Sequence, residues 1–325
     1  MKNNLNDILS VQSNKIDNLV RDKAQDNIDE YRERILPTEN PNTLKAKRSD
    51  YKHYKCFCSS NGYIEFSSDF KTAKEVIFDY IDIMISDGFS KSTIKRRLST
   101  ISGMFSLLEI KNPLKDSKNI TDYIRNSLIR LPSSKQLAPL RHSNIKRLPP
   151  VTSESSIIEI RNTMLMFLGT YTLCRASELL ALQVEDIDFE IGTAFIARAK
   201  NDQDGEGRYA NLSPKTLSLI RLYLDKTGIS EGLFIRRIYK GGKVGDPLKY
   251  IGFTKIIKNM ARELGLLGLA FNTHSLRIGS AVSLAENGVS LTEIALSGGW
   301  KNPTMPLHYT RQANAKRTGT SRFED

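Results

Sequence analysis

The sequence predicts a mainly α chain of two domains: an all-α N-terminal domain, then a mixed α+β domain with a small antiparallel sheet. Three observations predict it. Apolar residues recur at helical spacing from residue 43 to 131, with no strand pattern among them. The stretch LPSSKQLAPLRHSNIKRLPP (131–150) breaks that pattern with four prolines, four basic residues and no acid, the composition of an interdomain linker. Beyond it, one strand–turn–strand signal sits among amphipathic helices. The 325 residues suffice for about two domains, each able to bury its own core. The expected boundaries are a partly ordered extension over 1–40, a helical domain over 41–133, a linker over 134–150 and the second domain over 151–325.

Each element has a local reason. Residues 1–40 are polar with scattered apolar positions, and Leu36-Pro37 and Asn40-Pro41 break any helix there. A helix from Thr43 runs toward Asn61-Gly62. The next, over 72–86, turns Val76, Ile77, Tyr80, Ile81 and Met84 inward. Ser90 or Ser92 caps a third, ending before Asn112-Pro113, with Ile94, Leu98, Ile101, Phe105 and Leu108 as its buried face. A fourth covers 120–131. In the second half, helices are expected over 153–171, 177–182, 214–226, 249–264 and 273–287, the last closed by Gly288. Ser290 and Glu293 form a capping box for one more. Residues 188–199 and 208–212 read as two strands around the polar turn NDQDGEG.

Charge and composition narrow the function. Lys plus Arg number 48 against 36 Asp plus Glu, a net charge of +12. Most of that excess lies between Lys91 and Pro150, which hold 13 basic and 3 acidic residues. A basic stretch of this length is the footprint of a polyanion, because each neutralised phosphate releases counterions. A short charge run is usually only a solvated face. Here Lys91, Lys95, Arg96 and Arg97 sit on the first turns of a helix, with Arg141 in the following stretch, and a nucleic acid is the expected partner. An anionic membrane surface fits less well, since no Trp/Phe-rich apolar face accompanies the charge. No apolar run approaches the length of a bilayer span. The N-terminus has no signal-peptide core, and three cysteines, Cys56, Cys58 and Cys174, suggest a reducing cytoplasm.

Several chemistries lack their residues. There is no phosphate-cradling G-x-x-x-x-G-K-[ST], and Gly241-Gly242-Lys243 reads as a loop. The four histidines, His53, His142, His274 and His308, do not cluster at zinc-ligand spacing. The acidic run 185–190 reads as a polar rim entering a strand more readily than as a two-metal site. No metal and no cofactor are therefore expected; a nucleophilic side chain with fixed cations remains.

Three fragments supply such a set: Cys174-Arg175-Ala176-Ser177-Glu178, His274-Ser275-Leu276-Arg277, and Gly298-Gly299-Trp300 followed by His308-Tyr309. His274 and Arg277, three apart, share one helix face. Each fragment alone is weak: an H-x-x-R pair arises by chance, and a lone Trp is by default a core residue. In this order they resemble the tyrosine recombinase (phage integrase) family. Trp300 stands 26 residues after His274, and Tyr309 nine after Trp300, a spacing similar to the Cre branch, as is KQLAPL (135–140). The likeness is specific over about 135–325, looser over 40–134 and absent from 1–40.

The resemblance implies a helical core-binding domain that contacts DNA and a catalytic domain. It implies Arg175, Lys200, His274, Arg277, Trp300 and Tyr309 as the catalytic set, with Tyr309 the nucleophile. The chemistry agrees: attack on a phosphodiester builds charge on the equatorial oxygens, which guanidiniums clamp bidentately. A free phenol titrates near 10 and needs cations or a base to attack at neutral pH. His274 fits either as that base or only as a hydrogen-bond donor. The likeness makes Lys200 the general acid for the leaving oxygen, although it also reads as an ordinary turn lysine. Glu178 would hold Arg175 or His274 in place. The family implies a 3′-phosphotyrosine, a Holliday junction, a homotetramer on an inverted-repeat site and a C-terminal segment docking in trans. Two rivals share features: a type IB topoisomerase-like relaxase and an inactive architectural DNA-binding protein. The complete residue set speaks against the second, the compact helical domain and linker against the first.

Overall fold

A computed structural model describes residues 26–132, 137–197 and 206–315. The chain forms two compact units, Met1–Lys135 and Gln136–Asp325.

In the first unit, helical turns over 26–38 lead to α1 (Pro41–Asn61), α2 (Phe70–Ser86), α3 (Lys91–Leu107), the single turn α4 (Pro113–Asp116) and α5 (Lys118–Arg130). The starts are chemical. Asn40, Asp69, Ser90, Asn112 and Ser117 each accept a first-turn backbone N–H on the side chain. α1 begins at Pro41, two residues earlier than expected, because proline suits the first helical position and Asn40 caps it. Gly62, at φ +70°, ends it in the left-handed region. All ten residues expected inside α2 and after Ser90 are buried. An aromatic cluster fills the space between helices: Tyr54 meets Tyr80 at 5.0 Å and Phe66 meets Phe105 at 5.1 Å. One oxygen of the buried Glu65 accepts from Tyr51 there at 2.7 Å. Cys58 is buried and Cys56 exposed.

The second unit contains α6 (His142–Ile145), α7 (Ile157–Thr172), α8 (Ala176–Leu180), β1 (Ile187–Asp188), β2 (Thr193–Ile196), β3 (Arg208–Asn211), α9 (Pro214–Thr227), β4 (Arg236–Ile238), β5 (Val244–Pro247), α10 (Tyr250–Glu263), α11 (His274–Glu286), α12 (Leu291–Gly298) and α13 (Thr304–Ala315). α7 is the central helix, buried along most of its length, with α9 and α11 packed on it. The two sheets lie beside this helical core: antiparallel β1-β2-β3 and the pair β4-β5.

Three differences from expectation have physical causes. The strand expected over 188–199 is split, because Gly192 at φ +79° turns the chain and pairs Asp188 with Thr193. A second hairpin, β4-β5, went unread because its strands are short and their residues basic or turn-forming. Residues 137–150, expected as linker, pack into the second unit. Leu140 is fully buried and donates its N–H to the Ser275 carbonyl at 2.8 Å; Ile145 and Leu148 join the core. A Cβ on Gly279 would lie 1.9 Å from the Leu140 oxygen, so glycine is what admits this strand of chain against α11. No described helix is long and apolar enough to cross a membrane.

Candidate active site

Arg175 is placed by the end of α7. That helix stops at Thr172, and Leu173 takes a left-handed φ of 49°, unusual for a residue with a Cβ. The turn is held from below: Arg277, on α11, donates to the Leu173 carbonyl. Arg175 then sits just before α8. Glu178 accepts its backbone N–H at 2.9 Å and its guanidinium at 2.6 Å, so one buried carboxylate both caps the helix and aims the side chain. The sequence left Glu178 between two partners; the structure gives it to Arg175.

His274 opens α11, its N–H received by Asn272 at 2.7 Å. Arg277 follows one turn later, 2% exposed, its guanidinium carbon 3.8 Å from the Trp300 ring centroid. Trp300 is held by its approach. α12, with the expected Ser290–Glu293 capping box, closes through Gly299 at φ +64°. A Cβ on Gly298 would meet the Trp300 ring at 1.8 Å, so the indole lies back on bare backbone. Trp300 packs against the cluster of Ala281, Ala285 and Ile294, so it is a core residue and a wall of the site together. Tyr309, on α13, has its ring 6.2 Å from the Trp300 ring. His308 is exposed and meets the edge of Tyr309.

The electrostatics follow from burial among cations. Arg277 is pushed down to about 10, first by burial and then by Arg175, and stays charged at neutral pH. His274 lies below the ordinary histidine value, chiefly through burial and then through Arg277 and Arg175, so it is neutral at neutral pH. Tyr309 is raised by burial, with Arg277 and Arg175 pulling the other way. The phenol therefore waits protonated in the field of the same two guanidiniums that lower His274. An entering phosphate would meet more positive charge than the site neutralises, since Glu178 pairs with Arg175 alone.

The third arginine, Arg208, escaped the sequence reading. It begins β3 and donates to the carbonyls of Thr172 at 2.7 Å and Ser297 at 3.0 Å. Its only sequence signal was its place directly after the hairpin turn. Lys200 lies outside the described residues.

Of the residues expected on DNA, Lys95 is exposed and Lys91 half-buried, its ammonium 3.4 Å from the Ile129 carbonyl. Arg96 is tied to the buried Asp50, and Arg141 donates to Glu286 at 3.0 Å. Arg97 corrects the reading. It is 8% exposed, lies 3.9 Å over the Phe89 ring and faces Asp50 at 3.8 Å, so it is a buried structural cation rather than a phosphate contact. The acidic run 185–190 does local work: Glu185 accepts from Gly232, Asp186 from Gln183 and Asp188 from Glu190. Among the described residues, no group of three or more His, Cys, Asp or Glu is placed to hold a metal.

In the second unit Tyr309 lies against Trp300, on which Arg277 stacks, and within the charge of Arg277 and Arg175, an arrangement of cations around a hydroxyl that suits an anionic substrate. Comparison with known proteins makes this specific. Residues 139–316 match the phage integrase family, and the chain belongs to that family. It is 26% identical over 295 residues to an integrase/recombinase xerD homolog of Selenomonas ruminantium, covering 86% of this chain and 84% of that one. Against the recombinase cre of Escherichia phage P1 it is 22% identical over 320 residues, 91% of each chain. The Tn1549 transposon integrase, in complex with circular intermediate DNA, shares the fold at a TM-score of 0.61 and 15% identity, over 90% of this chain and 98% of that one. The lambda integrase dimer bound to a core site does so at 0.55 and 20%, over 88% and 94%. The protein is a DNA-binding tyrosine recombinase, an enzyme of site-specific DNA strand breakage and rejoining.

Proposed function

We propose that Tyr309 cleaves DNA by in-line attack on a phosphodiester. Its Oη–P bond forms as the bond from phosphorus to the 5′-oxygen breaks, leaving a 3′-phosphotyrosine and a free 5′-hydroxyl. The observation that carries this is the placement of the Tyr309 phenol in the field of Arg175 and Arg277, beside Trp300. The guanidiniums stabilise the charge that grows on the non-bridging oxygens. The neutral His274 suits the proton leaving the phenol. Lys200 is assigned the proton delivered to the 5′-oxygen, on the family likeness.

Because the covalent link conserves the energy of the broken bond, rejoining needs no nucleotide, and fixed guanidiniums take the place of metal. We assign the enzyme an inverted-repeat target, exchange of two duplexes through a Holliday junction, and a homotetramer on DNA. In that assembly the C-terminal segment of one protomer docks on the next, in a head-to-tail ring that closes. Deletion of 314–325 is expected to leave single-site binding by a monomer nearly intact and to remove pairing of two sites. Wild-type recombination by the truncated protein would defeat that assignment.

The decisive experiment traps covalent protein–DNA adducts on a nicked target. Wild type forms them and Tyr309→Phe does not, while both bind the site equally. Adducts with the Phe variant would remove Tyr309 from its role. Cleavage is also expected to survive EDTA; loss on chelation restored by magnesium would favour the carboxylates of 185–190 instead.

A further inference from the structure

We propose that Arg208 is a positioning residue for cleavage: its guanidinium ties the turn that carries Arg175 to the end of α12 that carries Trp300. This rests on the reading of Arg175, Arg277, Trp300 and Tyr309 as the cleavage site.

The two segments joined are far apart in the chain and bear different parts of that site. One nitrogen of Arg208 donates to the Ser297 carbonyl at 3.0 Å, near the end of α12. The other donates to the Thr172 carbonyl at 2.7 Å and lies 3.6 Å from the Cys174 sulfur, so it spans the turn leading to Arg175. The neighbouring carbonyl, that of Leu173, is the one Arg277 holds. Two adjacent carbonyls of a left-handed, sterically costly turn are thus each pinned by an arginine. Where that turn sits decides where Arg175 points.

The glycine pair before Trp300 is shaped to this arrangement. A Cβ on Gly298 would strike the Trp300 ring, and one on Gly299 would lie 2.9 Å from the Arg208 Cδ and Nε. The two bare positions let the indole and the Arg208 stem pack on one short stretch of backbone. Among the described residues Arg208 makes no ion pair with a carboxylate, so its charge remains, near enough to Arg277 to lower its proton affinity. Both terminal nitrogens of Arg208 bond main-chain carbonyls, which suits an organiser of the clamp.

The test compares Arg208→Ala and Arg208→Lys with Arg175→Ala. Each is measured for melting temperature, target-site affinity and single-turnover cleavage, on a normal phosphodiester and on a methylphosphonate at the scissile position. The methylphosphonate replaces one charged oxygen by a methyl group, so it leans less on a guanidinium clamp. Arg208→Ala is expected to cleave about 10–100-fold more slowly, as a misplacement of about 1 Å does, with affinity within about twofold of wild type. Arg208→Lys, able to reach one carbonyl but not both, should fall between and carries the test if the alanine variant does not fold. The distinguishing sign is that the Arg208 deficit shrinks on the methylphosphonate, as the Arg175 deficit does. A deficit equal on both substrates, while that of Arg175 shrinks, overturns the role of Arg208. An Arg175 deficit that does not shrink instead overturns the clamp itself. Wild-type cleavage by both Arg208 variants also ends the proposal.

Discussion

The two units hold their clustered arginines in different ways. In the first, Arg96 and Arg97 converge on Asp50, a carboxylate buried between α1 and α3, and Arg97 is further covered by Phe89. In the second, Arg277 and Arg208 are held by main-chain carbonyls, and three guanidiniums share Glu178 as the one carboxylate pairing with any of them among the described residues. A carboxylate cancels charge and yields a stable joint between helices. A carbonyl holds direction but leaves the charge in place, at the cost of desolvating a cation, which is why Arg277 falls to about 10. Three arginines with one acid among them is the pattern of a site waiting for an anion.

Four experiments press on that contrast. The largest effect is expected at the uncancelled end: Arg277→Ala should slow cleavage about a thousandfold with the fold retained, measured by single-turnover cleavage beside circular dichroism. A variant that cleaves normally would reduce Arg277 to packing. Lys200→Ala should slow cleavage about 100-fold or more and recover on a substrate with a 5′-bridging sulfur, since a thiolate leaves without protonation. Without relative recovery Lys200 is not the acid, and Lys215 is examined next.

At the cancelled end, Asp50→Ala strands Arg97 without its carboxylate and should cost about 3–5 kcal/mol of stability, with cleavage per folded molecule unchanged. Denaturant titration of the variant checks it; a loss under about 1 kcal/mol would make the pair a surface-like one.

The smallest effect is on pH. His53, His142 and His274 all lie below the ordinary histidine value, chiefly through burial. The unfolded chain takes up protons near pH 6.5 while the folded one resists. Stability is thus flat above that pH and falls as pH drops below it. Melting temperatures at pH 7.5 and 5.5 should show the decline, and His274→Gln should lessen it. A variant with the wild-type slope would assign the effect to the other two.

What the sequence determined by itself is local. Caps at Ser90 and Ser290 and the buried stripes of the helices depend on groups within a few residues, so spacing reveals them. The residues Arg175, His274, Arg277, Trp300 and Tyr309 were legible because their order and separations carry a family pattern. The tertiary structure alone decided the rest. Arg97 reads as one more basic residue on a basic helix until Asp50, carried in on α1, faces it, with Phe89 just before the helix covering it. Arg208 reads as the first residue of a strand until α12 and the end of α7 present two carbonyls to it. Residues 137–150 read as linker until Gly279 opens a place for Leu140. In each case the deciding partner is distant along the chain, and the charge or composition of the residue by itself argues for solvent. Whether a cation is cancelled, buried or left facing a substrate depends on what the fold carries to it.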